Sequence, residues 1–171
     1  VMGLLCGIFG INVAHELGHR HKKSEQTMAK MLLLTSLYMH FFIEHNKGHH
    51  KNVSTPEDPS SARFGEPVYT FYFRTIIFSY LSAWKISRQE LQKRGLSFFD
   101  AQNEMLIFQL IQFSFVFTIF MLFGMTITFY FLASAVIGFL LLETVNYIEH
   151  YGLQRKQTGP RQYERAMPEH S

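Results

Sequence analysis

The chain has 171 residues, a formal net charge of +3, 18 phenylalanines, nine histidines and one cysteine. Its length suits a single domain. Charge-free apolar runs lie beside densely polar stretches, which excludes a nucleic-acid-binding domain, since such a domain presents a basic face without those runs. Cys6 lies alone in an apolar run, so an intrachain disulfide and a cysteine-based metal site are also excluded.

The first segment, residues 1–14, has no charged side chain and predicts the exit end of a membrane helix. The chain starts without an initiator methionine or a charged leader, and it stops at residue 171 without a helix end or a tail. We therefore expect residues 1–171 to be an internal piece of one membrane domain, truncated at both ends.

The middle of the chain alternates between apolar and polar stretches. Residues 28–43 are apolar and favour a helix, whereas residues 51–67 contain three prolines among polar residues and predict an ordered loop. Residues 68–103 contain alternating aromatic and basic residues, with Trp84 among them, and this predicts helices at a membrane interface.

The longest apolar segment is 105–142, which has no charged side chain. As one helix it would reach roughly 57 Å, about twice the ~30 Å hydrocarbon core, so we predict two spans hinged near Gly124. Lys and Arg are dense on both flanks and absent from the turn, which places both flanks in the cytoplasm. Small residues in this region predict close helix approach: Gly124, Ala133, Ser134, Ala135 and Gly138.

Six histidines fall into three groups: His15 and His19; His45, His49 and His50; and His150. Two histidines four residues apart share one face of a helix, so each of the first two groups has a pair aimed at a common point. His50 is expected to point about a quarter turn away from that pair and to serve a second ion. The sequence therefore predicts an all-α integral membrane protein whose transmembrane helices carry a histidine-rich, cytoplasm-facing di-metal site.

The three remaining histidines and two other kinds of metal site offer alternatives to this prediction. His21, His40 and His170 lie outside the spacings and are expected to be ordinary interface residues. The segment from His15 to His19 also fits the zinc-protease pattern, in which Glu16 would activate a water molecule. A metal carrier without catalysis is a third possibility. Neutral imidazole suits Fe, Zn, Cu or Ni, so the ligand type alone leaves the metal open.

Four segments carry a family resemblance: HELGHR (15–20), EHNKGHH (44–50), TPEDPSSAR (55–63) and NYIEHYGLQR (146–155). Together they closely resemble the bacterial membrane alkane hydroxylases over essentially the whole chain. Fatty-acid desaturases and xylene monooxygenases share the histidine scheme, but the EDP loop and the NYxEHYG stretch are more specific to the alkane enzymes.

This resemblance implies a non-haem di-iron alkane 1-monooxygenase of the bacterial inner membrane, with its active site toward the cytoplasm and three further histidine ligands outside this chain. It would convert n-alkanes and O2 to primary alcohols with electrons from rubredoxin and its NADH-dependent reductase. No catalytic side chain is implied beyond the metal centre. The implied ligands of the two Fe ions are His15, His19, His45, His49, His50 and His150.

The surroundings of the site follow from the same resemblance. Carboxylates commonly orient metal-bound histidines through the second ring nitrogen, and the candidates are Glu16, Glu44, Asp58 and Glu149. Basic side chains would steer rubredoxin or bind anionic lipid: Lys85, Arg88, Lys93, Arg94, Arg155, Lys156, Arg161 and Arg165.

Overall fold

The computed structural model describes residues 2–160 and 162–167 and is mostly helical, as the sequence predicts. Its helices are α1 (Met2–Gly18), α2 (Lys23–Leu34), α3 (41–52) and α4 (Val68–Lys93), followed by a long helical stretch, Glu104–His150. Two short strands were not predicted. They are β1 (Gln157–Gly159) and β2 (Gln162–Tyr163), and they pair antiparallel.

The long helical stretch is broken at Gly124, whose φ of 76° and ψ of 179° are not helical. Positive φ is readily adopted by glycine. The rings of Phe115 and Phe131 lie 5.5 Å apart, although 16 residues of straight helix would separate them by roughly 24 Å. The chain therefore reverses at Gly124 into a hairpin of α5 (104–123) and α6 (125–150), which confirms the predicted hinge. By length and composition the stretch is able to cross a membrane.

The apolar stretch 28–43 does not form one continuous helix, although its composition favours one. Helix α2 ends at Leu34, and α3 begins only at Phe41. The residues between form turns, and Leu37 adopts a positive φ of 51°. Because α2 packs along α1 and the chain then turns back, α3 returns to the end of α1 instead of leading away from it. This turn brings the second histidine group to the first.

Helices α1 and α6 approach each other closely at small residues. A Cβ added at Gly3 would lie 2.7 Å from the carbonyl oxygen of Ser134, and one added at Gly7 would lie 2.9 Å from that of Gly138. Both distances are too short for any side chain. The predicted close approach is thus confirmed at Ser134 and Gly138, and it brings α6 against the helix that carries His15.

Helix α4 is a single helix with two different faces, where several interfacial helices were predicted. Its buried face recurs every four residues: Phe71, Thr75, Ser79, Ala83, Ser87 and Leu91. Its exposed face is apolar in the first half, with Tyr69, Phe73, Ile77 and Leu81. The loop that follows ends at Asn103, whose side chain caps α5 by accepting from the backbone N–H groups of Met105 and Leu106. The buried face of α4 supports α3 and α6 beneath the histidines.

Candidate metal centre

The second histidine group lies on a π-turn inside α3, His45–His49. The backbone N–H of His50 donates to the carbonyl of His45, a bond across five residues that widens the turn. Residues five apart therefore lie on one face, and the Nε2 atoms of His45 and His50 are 3.1 Å apart. The expectation that His50 points a quarter turn away was wrong, because it assumed a regular α-helix.

Gly48 lies where this π-turn packs closely on its surroundings. A Cβ at this position would lie 2.6 Å from Oε1 of Glu44 and 3.1 Å from Ile86 of α4. The bare backbone lets α3 pack directly on α4 and covers the Glu44 carboxylate, which is 1% exposed. Gly48 therefore lets the histidine-bearing part of α3 lie close to α4.

Four histidines from α1 and α3 converge on one point. The candidate ligand nitrogens of His15, His19, His45 and His50 all lie within 4.8 Å of one another. The Nε2 atoms of His15 and His19 are 3.1 Å apart, and those of His19 and His45 are 3.3 Å apart. A neutral imidazole has one donor and one acceptor nitrogen, so the four nitrogens could pair off as two donors and two acceptors, or all four could present a lone pair. A metal ion bound among them would satisfy all four.

The protonation state of this group also suits a metal. Burial, and then the neighbouring histidines, lower the pKa of His45. The same two causes lower the pKa of His50 to about 4. Both rings are therefore neutral near pH 7, and the neutral imidazole is the form that binds a metal ion.

His49 and His150 form a second pair outside the group of four. Their ring centroids are 4.8 Å apart. The Nδ1 of His49 donates to Oδ2 of Asp58 over 2.9 Å, and both side chains are buried. Within the described residues the buried Nδ1 of His150 has no hydrogen-bond partner. His150 therefore offers a buried ring nitrogen that the described residues leave without a partner.

Asp58 and His49 shift each other's pKa. Burial lowers the pKa of His49, but the hydrogen bond and the charge of Asp58 outweigh it, so the pKa is raised overall. Burial raises the pKa of Asp58, but the hydrogen bonds from His49 and Ser61 and the backbone N–H of Ser60 outweigh that, so its pKa is lowered. Asp58 is thus an ionised acceptor that fixes the ring of His49.

Both histidine sets face one cavity of about 250 Å³. Its walls hold five of the histidines: His15, His45, His49, His50 and His150. Phe41, Leu142 and Val145 add apolar wall. The six predicted ligands are thus brought to one region, in sets of four and two. This arrangement is able to hold metal ions beside an apolar space.

The other candidates lie in different surroundings. Glu44 is buried beside His45, and within the described residues its Oε1 has no partner. Glu16 and Glu149 are exposed, although Glu149 lines the cavity. His21 is exposed as expected, but His40 is buried between the rings of Tyr38 and Tyr80, so the expectation of an interface position was wrong for His40. His170 and Arg161 lie outside the described residues.

Sequence reasoning missed the buried carboxylate of Glu143, which it treated only as the end of an apolar run. Glu143 accepts hydrogen bonds from Tyr38 Oη over 2.8 Å, Thr75 Oγ1 over 2.9 Å and Asn146 Nδ2 over 3.3 Å. A signal was present, because Glu143, Asn146 and His150 are spaced by three and four residues and share one face of α6. This network ties α6 to α4 and to the turn before α3.

Histidine pairs from separate helices that meet in one cavity are typical of helical metal enzymes, and the comparison with known proteins agrees. The model of the fatty acid desaturase family matches residues 1–169. The chain belongs to the fatty acid desaturase family. Glu16 is exposed, and its two flanking histidines converge with His45 and His50. These observations do not support the zinc-protease interpretation.

Within the fatty acid desaturase family, the chain is similar to curated proteins of known name. It is 39% identical over 170 residues to alkane 1-monooxygenase 2 of Pseudomonas aeruginosa, covering 99% of this chain and 45% of that protein. It is 41% identical over 170 residues to an alkane 1-monooxygenase of Acinetobacter baylyi, with coverages of 99% and 41%. Identity to the hydroxylase component of a Pseudomonas putida xylene/toluene monooxygenase is 28% over 156 residues, with coverages of 91% and 42%. The chain spans less than half the length of these relatives.

Proposed function

We propose that this chain is the histidine-bearing part of an alkane 1-monooxygenase that hydroxylates the terminal carbon of n-alkanes. The proposal rests on the difference in sequence identity between the alkane enzymes and the xylene enzyme. Identity is 39–41% to the alkane enzymes named above and 28% to the xylene enzyme, although all three are matched over most of the chain. The six histidines, in a set of four and a pair, would supply part of the metal centre that such an enzyme needs.

The proposed reaction explains why the site is built of histidines and apolar side chains. A terminal C–H bond is strong and unpolarised, so acid–base or nucleophilic side chains have nothing to attack. Two iron ions, bound by the set of four and the set of two together with ligands from outside this chain, would supply the oxygen chemistry. The residues of this chain would hold the ions through their ring nitrogens, and Phe41, Leu142 and Val145 add an apolar wall beside them.

We further propose that the enzyme lies in the bacterial inner membrane, with its histidines toward the cytoplasm. Helix α5 has 20 residues and would reach roughly 30 Å, enough to cross the hydrocarbon core. Because α6 returns from Gly124, both ends of the hairpin lie on one side, where Lys and Arg are dense. An apolar substrate would then enter from the bilayer along this hairpin.

We also propose rubredoxin, fed by its NADH-dependent reductase, as the electron donor. The basic residues of the cytoplasmic side would attract an acidic protein, and the competing role for them is contact with anionic lipid. The rate of reduction is expected to fall with salt in a detergent that contains no anionic lipid. A rate independent of salt would contradict steering by these residues.

The test of the function uses a chimera in which residues 1–171 replace the matching segment of the Pseudomonas aeruginosa relative. With rubredoxin and reductase supplied, n-octane should give 1-octanol by gas chromatography, and His45→Ala should abolish the product. A folded chimera that binds iron but forms no alcohol would contradict the proposed substrate. Zinc in place of iron would contradict the proposed chemistry.

The second candidate is a related enzyme of the same family, such as a xylene monooxygenase or a desaturase. The 28% identity to the xylene/toluene enzyme favours it enough to be tested. The same chimera is therefore assayed with p-xylene and with a fatty acyl substrate. Turnover of either one without octane turnover would replace the first proposal with this one.

A further inference from the structure

The loop that carries Asp58, residues 53–67, is held by one guanidinium from α4. Arg74 Nη1 donates to the carbonyl of Pro59 over 3.0 Å, and Nη2 donates to the carbonyl of Ser61 over 2.9 Å. These two carbonyls follow Asp58 directly in the chain and lie on either side of Ser60. Arg74 therefore fixes the backbone from which the Asp58 carboxylate reaches His49.

The same guanidinium also binds a carboxylate at the end of the loop. Arg74 Nε donates to Glu66 Oε1 over 2.7 Å, and Nη2 donates to Glu66 Oε2 over 2.8 Å. Glu66 Oε2 also accepts from the backbone N–H of Arg63 over 3.0 Å. A planar guanidinium makes such a two-bond fork and two further bonds at once, whereas a lysine ammonium cannot reproduce this geometry.

The end of the loop is bonded to α6 as well. Tyr147 Oη donates to the carbonyl of Glu66 over 2.7 Å, and the N–H of Gly65 donates to Tyr151 Oη over 3.0 Å. These two tyrosines flank His150 in the chain. Arg74 and Glu66 thus connect the Asp58 end of the loop, which holds His49, to the part of α6 that holds His150.

We propose that Arg74, together with Glu66, is a positioning residue that sets His49 and Asp58 against His150 and so secures the ion bound by that pair. The inference rests on the proposed di-iron function. Neither residue contacts a histidine of the site. Both act on it through the loop and through Tyr147.

The test compares Arg74→Lys and Glu66→Gln in the chimera with Arg63→Lys as the matched control. Arg63 is an exposed arginine of the same loop whose contact with Glu66 is made through the backbone N–H. Iron per chain is counted during titration with a chelator, and Mössbauer spectra follow the two irons separately. Changing the residue that is hydrogen-bonded to a metal ligand typically weakens metal binding 10–100-fold. Arg74 and Glu66 lie one contact further from the metal, so their variants are expected to bind iron about tenfold more weakly. One of the two irons should be weakened in each test variant and neither in Arg63→Lys.

Each result bears on a different claim. Two irons held as tightly in Arg74→Lys and Glu66→Gln as in the unmodified chimera would overturn the positioning role. Parallel loss of both irons and of thermal stability would also overturn it, because Arg74 would then be a general stabilising residue. A double variant that binds iron no more weakly than either single variant would support the positioning role, since both changes break the same connection. An unmodified chimera that binds no iron would instead contradict the proposed function.

Discussion

Asp58 shows how a single residue controls a histidine of the site. It accepts from the Nδ1 of His49 and is itself held by Ser61 and by the backbone N–H of Ser60. The acceptor fixes both the tautomer and the orientation of the ring, so that its Nε2 is presented as a ligand. The effect of removing this acceptor can therefore be predicted separately from the effect of removing a ligand.

Asp58→Asn is expected to weaken iron binding about 10–100-fold, because a neutral amide is a poorer acceptor for the ring N–H. Chelator titration of the iron-loaded chimera measures the change. Glu57→Gln, an exposed neighbour, serves as the control and should leave the titration unchanged. Equal titrations for Asp58→Asn and the unmodified chimera would show that Asp58 does not orient His49.

The sequence predicted the six histidines as ligands, two pairs from a spacing of four residues and His50 and His150 from the family resemblance, and the structure brings all six to one region. It was not sufficient to group them. The π-turn that pairs His45 with His50 contains Gly48, where an added Cβ would meet Ile86 of the distant helix α4 as well as Glu44. The carboxylate of Glu143 was missed for a similar reason, since its partners Tyr38 and Thr75 lie far away in sequence.

At the scale of the elements, the hinge at Gly124 was predictable because an uncharged run of this length is too long for one span. The break between Leu34 and Phe41 was not, since that segment contains neither proline nor glycine. The chain turns there with α2 packed on α1, and Leu37 takes the positive φ. The close contact of α1 with α6 can be tested by comparing the stabilities of variants at two glycines of α1.

Gly7→Ala is expected to lower the free energy of unfolding by about 1–3 kcal/mol, because its Cβ would meet the backbone of Gly138. Gly10→Ala is the control in the same π-turn, Cys6–Ile11, since its nearest neighbour would be Thr35 Oγ1 at 3.9 Å. Denaturation of the detergent-solubilised chimera gives both values. Equal stabilities would contradict the close approach of α1 and α6.

The ion pair between Arg74 and Glu66 should make the stability of the protein depend on pH. The Arg74 hydrogen bonds lower the pKa of Glu66 from its ordinary 4.5. Ionised Glu66 therefore contributes stability that is fully present above that value and is lost as the pH falls through the lower folded-state pKa. The melting temperature of the unmodified protein should approach that of Glu66→Gln as the pH falls from about 6 to about 3. A difference that stays constant over this range would contradict the assignment.

At the scale of the whole molecule, the fold brings three separate segments to one cavity beside a long apolar hairpin. The sequence predicted that the histidines share one side, because a common site requires it. Residues 28–43 make this possible because the turn between α2 and α3 returns the chain toward the end of α1.

The hairpin predicts that residues at its turn and residues before α5 lie on opposite sides of the membrane. In a Cys6→Ser background, Met125→Cys at the exposed turn should react with an impermeant reagent from the periplasmic side. Ser97→Cys, in the exposed loop before α5, should react only in inverted vesicles. Labelling of both positions from the same side would rule out a hairpin that crosses the bilayer.

Tracing the oxygen tests whether this chain contributes the histidines of an alkane 1-monooxygenase. The chimera is supplied with n-octane, rubredoxin, reductase and ¹⁸O2, and the 1-octanol is analysed by mass spectrometry. The proposed reaction should give alcohol that carries one ¹⁸O atom, and His45→Ala should lose that product. Octanol with oxygen from water, or no octanol from a folded and iron-loaded chimera, would contradict it.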